Sequence, residues 1–318
     1  MTPTRMAHVE CRIPETFAGM RLDQAVATLL PDYSRNRIQD WIKCGELRVD
    51  GQIRRPRDRL IGGELVSGDL SPRLETPARA QNISLNIIFE DAEIVVINKA
   101  AGLVVHPAAG NADGTLFNAL LYHYPDLATM PRAGIVHRLD KDTTGLLVVA
   151  RTERAHASLV GQLKSRSMER HYQAVVCGVL TAGGTVDAPI GRHPVDRKRM
   201  AVVANGRPAV THYRVVTRFG AHTRLSLKLE TGRTHQIRVH MAHNRSPIFG
   251  DAVYGRRLRI PSGVAEADAE ILRGFQRQAL HAERLALRHP ATGDRQEWHA
   301  PIPPDFSRLL AVLSHYPC

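Results

Sequence analysis

Cysteine is scarce in this chain, and so is lysine. The four cysteines, Cys11, Cys44, Cys177 and Cys318, lie far apart with no C-x-x-C spacing. They form neither a zinc-ligand pattern nor a disulfide framework, which points to a reducing cytoplasm. Met1 to Arg12 holds no apolar run long enough for a signal peptide. No window approaches the roughly 18 to 20 apolar residues of a membrane span. Only six of the 43 basic residues are lysines, and 31 acids leave a net charge of +12. The arginine fork matches phosphates and base edges better than a point charge does. Such a charge implies a polyanionic partner, most often a nucleic acid, although an arginine-rich composition without a partner would look the same. With 318 residues and 43% hydrophobic content, the chain can hold one large-cored domain and a small accessory one.

The chain is organised around Gly134 to Arg151, G-I-V-H-R-L-D-K-D-T-T-G-L-L-V-V-A-R. Ile135 and Val136 lead in, and Leu146 to Ala150 lead out as a buried strand. Between them sit His137, Arg138, Asp140, Lys141 and Asp142. A turn needs only Asn-Gly or Asp-Gly. An acid beside an arginine at the mouth of a buried strand demands more, because a desolvated carboxylate costs several kcal/mol unless paired. A structural ion pair at a strand end is the plain alternative.

Before that stretch, residues 1–16 read as a poorly ordered arm. A helix follows with Leu22, Ala25, Val26, Leu29 and Leu30 on one stripe, closed by Pro31. Ser34 suits the N-cap and Gly45 the C′ position of a second helix burying Ile38, Trp41 and Ile42. That helix turns Arg35, Arg37 and Lys43 outward. Leu47 to Val49, Asp50-Gly51 and Gln52-Ile53 read as a hairpin, and Arg54, Arg55, Arg57 and Arg59 cluster after it. Residues 71–82 contain two prolines and no apolar stripe. The reading is a first domain over 18–75, a linker over 76–82 and a second domain over 83–318.

In the second domain, strands are expected within Ile83 to Phe89 and at Ile94 to Asn98, then a helix over Leu116 to Tyr122. Residues 153–166 read as a helix, and Tyr172 to Val176 as an alternating strand. Residues 192–199, R-H-P-V-D-R-K-R, form a basic loop. Strands are expected at Thr211 to Thr217 and Leu225 to Leu229. The run E-T-G-R-T-H-Q-I-R-V-H-M reads as a further strand, with Gln236, Arg238 and His240 on one face and His235 on the other. That alternation argues against a shared metal, so no metal site is expected. A helix closes the chain at Phe306 to Leu313. Strands with interspersed helices, lacking regular strand-helix repeats, argue for an α+β fold.

These motifs resemble two known families. R-L-D at 21–23, the two short helices and G-x-x-x-V-D-G resemble the S4 RNA-binding domain. H-R-L-D-K-D-T-T-G-L-L-V-V-A is similar to the signature of the RluA-type pseudouridine synthases. N-K-A-A-G-L-V-V-H-P at 98–107, R-H-Y-Q-A-V-V-C-G at 170–178, L-E-T-G-R-T-H-Q-I-R-V-H at 229–240 and L-H-A at 280–282 follow in the family's order. The longer runs look like the branch acting on large-subunit ribosomal RNA. The resemblance implies a mixed, largely antiparallel sheet with a central cleft, behind a small α+β RNA-binding module. It implies isomerisation of uridine to pseudouridine in 23S rRNA, free or in a pre-ribosomal particle, by a monomer without any cofactor. Relatives acting on other RNA sites share these motifs, so the target uridine stays open.

By position, Asp140 matches the family's catalytic aspartate and Arg238 the basic residue paired with it. Tyr172 matches the tyrosine that stacks on the target base, and Arg138 the arginine that holds the nucleotide out of the RNA. His137, Gln236, Arg35 and Arg37 are further candidates for RNA contact. Ala100 stands where many relatives have proline, and His171 where glutamate is common. The chemistry needs these residue types. Breaking the bond from uracil N1 to ribose C1′ builds positive charge on the sugar, which a carboxylate can stabilise or trap, or it can act as a base. The base must first leave its stack, which calls for an aromatic platform and a residue to fill the gap.

Each residue has a plainer alternative: Tyr172 as packing on a strand, Arg238 as an ordinary ion pair, His137 and His281 as structural histidines. Two other functions compete. A non-catalytic RNA-binding or ribosome-assembly protein would need no intact Asp140, Tyr172 and Arg238. A nucleoside or sugar hydrolase would need a second carboxylate at the site and no basic surface.

Overall fold

The computed structural model describes residues 7–31, 35–70, 79–108, 111–255, 260 and 263–318, apart from the side chains of Ala7, Asn36 and Arg37. The chain divides into two compact units, Met1–Pro77 and Ala78–Cys318.

The first unit comprises β1 (Ala7–Arg12), α1 (Leu22–Leu29), α2 (Arg35–Cys44), β2 (Leu47–Val49) and β3 (Leu65–Leu70). Leu22, Ala25 and Val26 of α1 pack with Ile38, Trp41 and Ile42 of α2 against Leu47, Val49 and Val66. The helical stripe is therefore the core, as its spacing predicts. Gly45 takes a positive φ of 78° beyond α2, the left-handed turn that glycine allows at a helix end. Ser34, the expected N-cap, lies outside the described residues.

Two expectations fail here. Residues 7–12 are no loose arm: they form an antiparallel strand on β3, from Ala7 opposite Leu70 to Arg12 opposite Leu65. The partner lies far along the chain, so no local pattern announces it. The two-residue turn at Asp50-Gly51 is present, with hydrogen bonds of 3.0 and 2.9 Å between Val49 and Gln52. However, the expected hairpin goes no further than the Val49–Gln52 bridge, and β2 pairs along its length with β3.

The second unit holds β4 (Ile87–Glu90), β5 (Ile94–Lys99), α3 (Leu116–His123), β6 (Thr144–Ala150), α4 (Glu153–Lys164), β7 (Glu169–Cys177), β8 (Gly184–Asp187), β9 (Ile190–Arg192), β10 (Met200–Val202), β11 (Val210–Arg218), β12 (His222–Leu229), α5 (Gln236–His243), α6 (Glu266–Gly274), β13 (Leu280–Arg288), β14 (Arg295–His299) and α7 (Pro304–Ser314). Nine strands form one mixed, largely antiparallel sheet in the order β4-β5-β6-β13-β7-β12-β11-β8, with β14 on β13. β6 is buried throughout. Residues 79–81 are tied to this unit: Asn118 donates to the Arg79 carbonyl at 2.9 Å, and Gly114 N–H to the Gln81 side chain at 2.6 Å.

The sheet closes at the junction of β6 and β13, which run parallel with His281 opposite Thr144 and Ala282 opposite Gly145. Gly145 has a φ of 109°, and a Cβ there would lie 2.2 Å from the Ala282 carbonyl oxygen. Only glycine permits that approach. The T-T-G and L-H-A motifs thus form two sides of one contact.

Residues 236–243 form a helix, α5, not the expected strand. Gln236 through Met241 are all buried. A helix covered on every side loses the polar stripe that reveals a 3.6-residue period, and Ile and Val then mimic a strand.

Candidate active site

Asp140 sits in the loop from His137 to Thr143 that leads into β6, and most of this loop is pinned. Val148 N–H donates to His137 Nε2 at 3.1 Å. Lys99 Nζ donates to the carbonyls of Ala100, Leu103 and Lys141 at 2.7, 2.9 and 2.8 Å. Arg277 Nη1 donates to the Asp142 carbonyl at 3.2 Å, and Gln278 Nε2 to Thr143 Oγ1 at 3.1 Å. Thr144 Oγ1 meets His281 Nδ1 at 2.9 Å. These bonds come from β5, β6 and the segment entering β13, so the sheet itself positions the loop.

The side chain of Asp140 retains 13% exposure and faces Arg238, whose Nη1 donates to its Oδ2 at 3.0 Å. Arg238 is held from behind. Its Nε and Nη2 donate to Asp251 Oδ2 and Oδ1 at 2.7 and 2.9 Å. Asp251 Oδ1 also accepts the backbone N–H groups of Val253 and Tyr254. Burial pushes the Asp251 carboxyl up, and the bonds to Arg238 more than reverse this, holding it below the ordinary carboxylate range. The Arg238 guanidinium lies over the Tyr254 ring, 5.0 Å from its centroid. Arg238 is therefore fully ionised and fixed in place.

His235 completes the surroundings of Asp140. Its Nδ1 lies 2.8 Å from the Tyr254 hydroxyl, and its Nε2 is 3.9 Å from Asp140 Oδ1. The Tyr254 hydroxyl accepts the Met200 N–H at 2.9 Å, which frees its own proton for His235. His235 has a positive φ of 57° at the start of α5, a conformation uncommon outside glycine.

Tyr172 is 5% exposed on β7. Burial raises its phenol pKa, Arg170 opposes the rise, and the nearby charge of Asp140 adds to it. Asp140 and Arg238 are thus in direct contact, and the charge of Asp140 reaches Tyr172.

The remaining candidates divide. Arg138 is exposed beside Asp140, and its charge helps depress His106 and His235. Gln236 is a correction, because all its hydrogen-bonding capacity is internal. Its Oε1 accepts from Thr231 Oγ1 and Arg233 N–H at 2.8 and 2.9 Å, and its Nε2 donates to Val210 O and Thr211 Oγ1, both at 3.0 Å. It locks the start of α5 and has nothing to offer RNA. His137 is another correction: burial, and then the charge of Arg170, push its pKa down to about 3. Neutral and bonded to Val148, it holds β6.

Arg35 is partly spent in the first unit, donating through Nε and Nη2 to Asp23 at 3.2 and 2.8 Å. Arg21 and Gln39 also donate to this buried carboxylate. The R-L-D motif is therefore a structural clamp. The Arg37 side chain lies outside the described residues. His240, which the expected strand sets on the face opposite His235, instead lies on α5 and contacts Thr211 Oγ1 and Ala188 O, both at 2.9 Å.

Three residues were not singled out in the sequence: Lys99, Asp251 and Tyr254. Lys99 stands in N-K-A-A-G and is 1% exposed. Burial pushes its amine down to about 7, against the pull of Asp142 and Asp140. Its three carbonyl acceptors need three N–H groups, which only the ammonium form supplies. Asp251 and Tyr254 stand in G-D-A-V-Y-G at 250–255, where an acid within an apolar run was the available signal.

Residues 93–243 match the family described as RNA pseudouridylate synthase, and residues 20–66 match the S4 domain. The chain is 57% identical to the ribosomal large subunit pseudouridine synthase D of Pseudomonas aeruginosa, over 95% of this chain and 94% of that one. It is 55% identical to the Xanthomonas campestris protein of that name, over 95% and 91% of the two chains. Among solved structures, human RNA pseudouridylate synthase domain containing 4 superposes with a TM-score of 0.56 at 27% identity, covering 72% of this chain and 93% of that one.

Proposed function

The chain belongs to the RluA-type RNA pseudouridine synthases that carry an S4 domain, and from that premise we propose that it converts uridines of large-subunit ribosomal RNA to pseudouridine, with Asp140 as its catalytic group. The observation that carries the assignment to Asp140 is its pairing with Arg238 at 3.0 Å, inside a loop whose other polar groups are mostly tied down.

The reaction needs no net oxidation. The bond from N1 to C1′ breaks and its electron pair stays with uracil. Asp140 either takes C1′ on a carboxylate oxygen or removes the proton at C2′. The base turns and C5 bonds to C1′, displacing the Asp140 oxygen in the first route or as Asp140 returns the proton to C2′ in the second; the C5 proton then leaves and N1 takes one up. Asp140 is then free again. The ionised guanidinium of Arg238 favours the carboxylate form required for the first step. Tyr172 offers an aromatic surface to the extruded base, and exposed Arg138 can fill its place in the stack. The arginine-rich composition supports a partner gripped through its phosphates.

The test is tritium release from C5-labelled uridine in a large-subunit rRNA transcript. The intact chain releases tritium, while Asp140→Asn binds the RNA with similar affinity and releases none. Tritium release by the Asn variant would remove Asp140 from the reaction. Mapping pseudouridines in rRNA from cells with and without the gene identifies the target.

A further inference from the structure

Arg170 is an anomaly two residues from Tyr172. The two alternate onto the same face of β7, and Arg170 is only 6% exposed. Buried guanidinium groups ordinarily meet carboxylates, because an uncompensated buried charge costs several kcal/mol. Arg238 obeys this rule with three bonds to two acids. Among the described residues, Arg170 has no ion pair. Its one hydrogen bond is a 3.5 Å contact from Nη2 to the Glu230 carbonyl, and its Nε is buried without an acceptor.

The fold nevertheless makes room for it. A Cβ at Gly232 would lie 2.7 Å from Arg170 Nη1, so the glycine of T-G-R-T-H-Q preserves the space this guanidinium occupies. Its charge is felt at Tyr172 and at His137, three residues before Asp140. The cation therefore lies buried on the Tyr172 face of β7, two residues from that ring.

Resting on the reading of Asp140 chemistry given above, we propose that Arg170 supplies the positive potential that stabilises the uracil anion between cleavage and rejoining. When the N1 to C1′ bond breaks, the electron pair spreads over N1, O2 and O4 of the departing base. Asp140 carries no positive charge in either route and cannot help. Arg238 is committed to Asp251 and Asp140. An uncompensated guanidinium fixed in a water-poor site is a preorganised source of positive potential, and such fields weigh most where solvent cannot screen them. The same field delays protonation at N1, because it keeps the base an anion until C5 has bonded to C1′. Arg170 acts through the field at Tyr172 and is a positioning residue in that electrostatic sense.

The experiment compares the full-length chain with Arg170→Met in single turnovers on rRNA transcripts containing uridine or 5-fluorouridine, scored as loss of the starting nucleoside after nuclease digestion, because 5-fluorouridine has no C5 proton to lose once C5 has joined C1′. Fluorine lowers the basicity of the departing base, so its anion needs less help. The variant is expected to convert uridine about 100-fold more slowly, the scale of losing one preorganised electrostatic group. Its deficit with 5-fluorouridine should be about tenfold smaller, which is a substantial recovery of transition-state stabilisation. Its melting temperature should stay level or rise, because an apolar side chain replaces an unpaired buried charge. A lower melting temperature with equal slowing on both RNAs would make Arg170 purely structural and overturn the proposal, as would failure of the variant to fold or unchanged rates. If the unaltered chain modifies neither RNA, the parent reading falls and takes this one with it.

Discussion

Arg238 is seated on Asp251 by two hydrogen bonds, 2.7 and 2.9 Å long, and reaches Asp140 with the one remaining arm of its fork. Asp251 is in turn anchored by two backbone N–H groups at the start of the turn containing Tyr254. The partner of Asp140 is thus aimed by a second carboxylate.

Replacing Asp251 with Asn should loosen that aim. One oxygen remains to accept from Arg238, but the ionic hold is lost and a small misplacement of the guanidinium follows. The rate of isomerisation should fall by about 100-fold, while RNA affinity changes little. Single-turnover rates and filter binding measure the two. A variant as fast as the unaltered chain would show that Arg238 holds its place without Asp251.

Gln236→Leu tests the reassignment of a residue that looks like an RNA contact in sequence. The substitution strips partners from Thr231, Arg233, Val210 and Thr211, which the present structure satisfies. A loss of about 3 kcal/mol in unfolding free energy is expected, because each orphaned buried group carries a desolvation cost. RNA affinity measured well below the melting point should stay the same. A selective loss of RNA binding with full stability would restore the contact role.

Stability should fall in mild acid. The folded chain keeps His137 neutral, with its pKa pushed down to about 3, and His222 likewise at about 4, chiefly through burial. In the unfolded chain both take up protons near pH 6.5. The unfolded state therefore gains protons first, and stability declines as pH drops below about 6.5 until the folded values are reached. Each histidine contributes up to about 1.4 kcal/mol per pH unit in that window. His137→Gln retains an acceptor for Val148 N–H but cannot titrate. Urea unfolding between pH 7 and pH 4.5 should show a shallower slope for this variant; identical slopes would place the proton uptake elsewhere.

Gly145→Ala should abolish soluble protein or lower stability by about 3 kcal/mol or more. The new methyl would meet the Ala282 carbonyl oxygen at 2.2 Å, at a backbone angle of 109° that alanine resists. Circular dichroism and melting curves of the purified variant are the readout, and a melting curve like that of the unaltered chain would mean the β6 and β13 contact can open without cost.

Local periodicity determined much of this molecule. The α1 stripe, the buried run of β6, the alternation of β7 and the apolar face of α7 all follow from contacts between near neighbours in the chain. The motifs likewise marked Asp140, Tyr172 and Arg238, through their match to the positions of the family's signature. What tertiary structure alone decided concerns partners distant in sequence. β1 is a strand because β3 lies beside it, and α5 is a helix although packing on all sides hides its period. Gln236 and His137 became internal locks when Val210, Thr211 and Val148 were brought to them. Asp251 reads as an unremarkable acid until folding sets it behind Arg238. A hydrogen bond spans about 3 Å of space whatever the separation along the chain, so the groups that finish this site carry no mark of their pairing until the sheet has assembled.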